Sequence, residues 1–168
     1  MTTTQKFLEQ LEQESNTTRK MLSIVPEDKF DWQPHTRSMT IRELATHIAE
    51  IPGWVDIALK TNGLDVAEKY LDPPVIHNRA ALMEFFEKKL ADGRNALQNA
   101  TDADLVPTWT MSKGGKVISV RPKEDVVMMC MSQIIHHRAQ LGVFLRLLDV
   151  PIPGSYGPSA DEIMMMKG

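Results

Sequence analysis

A single cysteine, Cys130, stands in the 168 residues of this chain. One thiol allows no intramolecular disulfide and no multi-thiolate zinc site, which leaves imidazole and oxygen as ligands for any metal. No apolar run approaches the roughly 18 to 20 residues that a bilayer-spanning helix needs, so no membrane partner is expected. The opening Met1-Thr2-Thr3-Thr4-Gln5 lacks the charged start and apolar stretch of a signal peptide, and the expected location is cytoplasmic. Neither sign of charge dominates: 19 Lys and Arg against 22 Asp and Glu give a formal net charge of -3. No basic surface for nucleic-acid phosphates is implied, so nucleic acid is excluded as a partner. A Gly-rich phosphate loop, a Gly-x-Ser-x-Gly elbow and a His-Glu-x-x-His pair are all missing.

What is present is helical. The length suits one domain, residues 1–168. Phe7, Leu8, Leu11, Met21, Leu22 and Val25 recur at helical spacing, and Pro26 closes that segment. Residues 26–39 hold two prolines with Phe30 and Trp32, the composition of a packed connection. Thr40 and Glu43 form a capping box that opens a second helix running to about Lys60, with Pro52-Gly53 expected to kink it. Asn62-Gly63 and Asp72-Pro73-Pro74 punctuate the chain before a third helix over 78–100, carried by Ala81, Leu82, Phe85, Phe86, Leu90 and Leu97. Thr108-Trp109-Thr110-Met111, Gly114-Gly115 and Lys116-Val117-Ile118-Ser119-Val120 spell a β-hairpin about a Gly-Gly turn. Pro122 starts a fourth helix that reaches Leu148. Pro151 and Pro153 stop it, and one further helical turn is expected around Asp161 to Met165. Four long helices with one hairpin predict an all-α four-helix bundle.

Helical arithmetic, about 100° per residue, sorts the five histidines. On the fourth helix Val127, Cys130, Ile134, Leu141, Phe144, Leu145 and Leu148 define an apolar arc that includes His137, which predicts an inward imidazole. His136 falls outside that arc. Gln133 precedes His137 by one turn and can converge on the same point. On the second helix Leu44, Ile48, Ile51, Val55 and Ala58 form an arc that holds His47. Glu50, one turn on, is a candidate extra ligand, general base or orienting acceptor. An inward histidine is more often a hydrogen-bonded core residue than a ligand, but two of them beside an amide and a carboxylate form a candidate metal site. His35 and His77 read as solvated loop residues. Met128, Met129 and Met131 read as core packing, Met164 to Met166 as a tail contact, and Cys130 as an inert buried thiol.

At these residues the chain resembles the DinB-like (DinB/YfiT-type) family of metal-dependent bundle proteins, which is unrelated to the polymerase of the same name. The resemblance runs through Asp31-Trp32-Gln33-Pro34-His35, Leu44-Ala45-Thr46-His47-Ile48-Ala49-Glu50, Thr108-Trp109-Thr110 and His136-His137-Arg138-Ala139-Gln140-Leu141-Gly142, and ends in 150–162. It implies an up-up-down-down bundle, often a homodimer, with a three-histidine site for nickel or zinc. Carried over by position, two of the three ligands fall on His47 and His137. The third falls on Gln133, where the family commonly has histidine, and a neutral amide oxygen is the weaker ligand for either metal. The resemblance further implies a metal-dependent enzyme, a thiol S-transferase acting with a low-molecular-weight thiol or a hydrolase, with Glu50 as the candidate base. The rival expectation is a non-catalytic bundle that binds a small molecule, or acts as a dimer, and has lost its metal.

Overall fold

A computed structural model describes residues 1–68 and 73–167; Asp72, one of the expected punctuation residues, lies outside them. Four long helices surround one apolar core: α1 (Thr3–Leu22), α2 (Ile41–Lys60), α3 (Arg79–Asn99) and α4 (Lys123–Leu147). Their starts follow local chemistry. Thr40 and Glu43 make the reciprocal capping box, Asn78 accepts from the Ala81 amide, and Pro122 precedes the first residue of α4. A second capping box, between Thr2 and Gln5, opens α1. The helix α2 passes through Pro52 without ending, and Gly93 on α3 lies against the Pro52 carbonyl so closely that no Cβ fits between them. The short α5 (Ala160–Lys167) is longer than the single turn expected, and Met164 to Met166 lie exposed instead of forming a tail contact.

Both α1 and α2 pack against α3 and α4 while barely touching one another, so each pair is diagonal. Side-chain pairing fixes the directions. Arg19 pairs with Glu87 and Arg94 with Glu12, so α1 and α3 run antiparallel. Gly53 lies beside Lys89, and Leu59 and Lys60 share a cleft with Asn95 and Asn99, so α2 and α3 run parallel. Lys123 donates to the Leu59 carbonyl while His137 meets His47, so α4 opposes α2. The order is therefore up-down-down-up, which corrects the up-up-down-down expectation. Connections 23–40, 61–78 and 100–122 are all long enough to return along a helix of this size, so their lengths do not reveal which one crosses.

The all-α expectation holds for the core, the expected hairpin is present beside it, and only the third strand of its small sheet goes beyond what was expected. Strands β2 (Thr108–Lys113) and β3 (Lys116–Pro122) pair antiparallel about Gly114 and Gly115, both at positive φ. A further strand, β1 (Gly63–Asp65), pairs parallel to β2. The Asp65 carboxylate then accepts from the Gly114 and Gly115 amides at 2.8 and 2.7 Å and from Ala67 at 3.0 Å, which fastens the turn to β1. These bonds hold the Asp65 carboxyl at about 2.

Beneath the C-terminal segment lies a buried ion pair. Arg138, 2 % exposed, meets Glu14 with Nη2 to Oε2 at 2.7 Å, a close charge contact without the alignment of a hydrogen bond. The guanidinium also donates to the Glu14 carbonyl, Thr18 Oγ1 and the Tyr156 hydroxyl, and Tyr156 donates to Glu14 Oε1 at 2.7 Å. Arg138 thus occupies the core position on α4, and the expectation that His137 points into the core is corrected: His137 sits half-buried on the flank that faces α2.

Candidate metal centre

The site forms where α2 and α4 pass one another. His47 is placed there by the buried Leu44, Ile48 and Ile51 on α2, and His137 by Ile134, Arg138 and Leu141 on α4. The rings stand 4.6 Å apart between centroids, nearly perpendicular at 78°. Trp54 closes on His47 edge-on at 5.3 Å, and the exposed His136 ring lies 4.9 Å from His137 on the other side.

Each central imidazole is oriented by an oxygen on its own helix. His47 Nδ1 lies 2.7 Å from Glu50 Oε1, and His137 Nδ1 lies 2.8 Å from Gln140 Oε1. A carboxylate and an amide oxygen only accept, so both Nδ1 atoms donate, and Nε2 is the ring nitrogen left without a partner on its own helix. Burial pushes the His137 pKa below its usual 6.5, the Gln140 bond opposes that shift, and the neighbouring His47 and His136 lower it further. Its Nε2 is therefore available at neutral pH.

Two imidazoles, each held through Nδ1 by an outer oxygen, match the way proteins orient histidine for a divalent ion. That part of the donor set fits. The third imidazole is missing: among the described residues no group of three His, Cys, Asp or Glu side chains converges on one point. Glu50 turns to His47, and His136 is turned outward. Gln133 is half-buried one turn before His137, about 40° round the helix from it. His35 and His77 are exposed, as expected.

Sequence reasoning missed Gln140, the oxygen behind His137, although its spacing of three residues repeats that of His47 and Glu50. It also missed the cavity beside the site. A space of about 430 Å³ is lined by Glu50, Trp54, Phe85, Trp109 and Met129, with Cys130 in its wall. Burial pushes the Cys130 thiol up to about 12, so this sulfur is no nucleophile.

A mostly helical chain of four long helices and a small sheet, with two oriented histidines between α2 and α4, defines the class of fold. The chain belongs to the DinB family, whose model matches residues 1–164. It is 23% identical over 160 residues to the uncharacterized protein YrdA of Bacillus subtilis strain 168, covering 93% of this chain and 89% of YrdA. It is also similar to the crystal structure of a DinB-like protein from Bacillus cereus ATCC 10987, with a TM-score of 0.69 at 21% identity over 89% of this chain and 95% of the other. The crystal structure of the mycothiol-dependent maleylpyruvate isomerase shares the fold at a TM-score of 0.58 and 14% identity, over 83% of this chain and 60% of the isomerase. No helix among the described residues is long and apolar enough to cross a membrane.

Proposed function

We propose that this protein is a metal-dependent enzyme of the thiol S-transferase or hydrolase type, holding nickel or zinc through His47 and His137 with Gln133 in place of the third imidazole. The observation that carries this reading is the pair of imidazole rings 4.6 Å apart, each with Nδ1 tied to an oxygen and Nε2 left over. When bound, the ion supplies an acidified thiol or water as the nucleophile near neutral pH. His47 and His137 bind it, Gln140 and Glu50 set the ring orientations, and Glu50 is also placed to take up a proton at its carboxylate because it lines the neighbouring cavity. The gap in the ligand set makes affinity lower than three imidazoles would give. A thiol-dependent isomerase on a similar fold supports a low-molecular-weight thiol as the co-substrate.

Elemental analysis of protein purified without chelator tests this proposal. The expected result is a divalent ion near one per chain that is lost in His137→Ala and in His47→Ala. No metal in the wild type, together with no change in melting temperature on adding nickel or zinc, overturns it. One observation favours the rival reading, a bundle that binds a small molecule without metal: among the described residues no three such groups converge, while the apolar cavity is well formed. Ligand stabilisation in excess chelator, with no metal uptake, is its signature.

A further inference from the structure

The cavity beside Glu50 has a composition that selects its occupant. Its wall carries three aromatic side chains, Trp54 from α2, Phe85 from α3 and Trp109 from β2, and Met129 and Val126 from α4 close it. Such a wall favours a flat ring, which gains edge and offset-face contacts beyond the area that it buries. At about 430 Å³ the space suits a molecule of one or two rings.

Its charges are divided. Glu50 is committed to His47 and repels an anion placed beside it. Lys89 is the cation in the lining, half-buried, with Nζ 5.7 Å from the centre of the Phe85 ring. Among the described residues no carboxylate lies within ion-pair reach of its Nζ, so the ammonium is open to an anion in the cavity. Lys89 is also seated by design of the neighbouring helix. Its stem crosses α2 at Gly53, where a Cβ would stand 2.7 Å from Lys89 Cδ, so only a glycine lets the chain lie there without moving.

We infer that the cavity binds a small aromatic monoanion, its ring among Trp54, Phe85 and Trp109 and its carboxylate on Lys89. This binding does not rest on the metal reading proposed above.

Calorimetric titration of the intact protein with 2-naphthoate and with 2-naphthylmethanol, first in chelator and then with zinc, tests the inference. The acid should bind in chelator about tenfold tighter than the alcohol, the worth of one charge-assisted hydrogen bond. Lys89→Met should abolish that preference, and Gly53→Ala should reduce it by displacing the ammonium. Val126→Trp should block both probes, and Met129→Trp replaces it if that variant does not fold. Equal affinity for the two probes, loss of neither preference nor affinity in Lys89→Met, or no binding of either at roughly 1 mM overturns the inference. Binding that requires zinc also overturns it while leaving the metal reading intact, and binding in chelator without metal uptake sustains it while the metal reading fails.

Discussion

Replacing Glu14 by leucine would leave the Arg138 guanidinium buried with only the residue-14 carbonyl, Thr18 and Tyr156 as partners. Arg138 is 2 % exposed and cannot shed its charge by losing a proton. Breaking a buried pair from one side costs about 3–5 kcal/mol, because the remaining charge stays desolvated. For a chain of this size each kcal/mol lowers the melting temperature by about 2–4 °C, so Glu14→Leu should melt roughly 6–20 °C below the wild type. The double variant Glu14→Leu/Arg138→Met, which removes both charges, should recover most of that loss. Thermal and urea unfolding of the two variants, fitted with a common slope, measures both terms. A cost below about 1 kcal/mol for Glu14→Leu, or a double variant no more stable than the single one, refutes the assignment of this pair as a buried, desolvated contact.

Three smaller tests follow. Gly93→Ala forces a methyl against the Pro52 carbonyl, so α2 and α3 must part, and unfolding experiments should show a loss of about 1–3 kcal/mol. Glu50→Ala removes the oxygen behind His47 and should weaken zinc or nickel about 10–100-fold in a competition titration, with the fold unchanged by circular dichroism. The Asp65 carboxyl titrates at about 2 against its usual 3.8. Its depressed value means that the stabilisation is fully present above 3.8 and fades as pH falls from 3.8 toward 2, so Asp65→Asn should be less stable than the wild type near neutrality and the gap should close through that window.

Much of the helical framework was legible because its signals are local. The Thr40–Glu43 box, Pro122 and the Gly114-Gly115 turn each act within a few residues, and each element begins or turns where they stand. Long-range features were not. Strand β1 is three residues long and exists only through its pairing with β2, so no pattern within 63–65 reveals it. The helix directions depend on which connection crosses, and composition is silent on that.

The site shows the same division. Helical periodicity gave His47 and His137 inward directions with Glu50 beside the first, the resemblance gave the two histidines a shared site, and the structure brings their rings together between α2 and α4. The error lay in the depth of His137. Counted from Ile134, Arg138 lies about 40° one way round α4 and His137 about 60° the other, so the charged residue is nearer the centre of the buried stripe. An apolar-arc reading passes over arginine because burial of a charge requires a partner. That partner, Glu14, is 124 residues away in sequence and carries no local sign of its role.

An anomalous difference map from crystals loaded with zinc tests the metal centre most directly. The predicted result is one peak bonded to Nε2 of both His47 and His137, about 2.0–2.1 Å from each, with Gln133 turned toward it. A map with no peak between those two rings, or with zinc on the exposed His136 alone, would contradict the assignment.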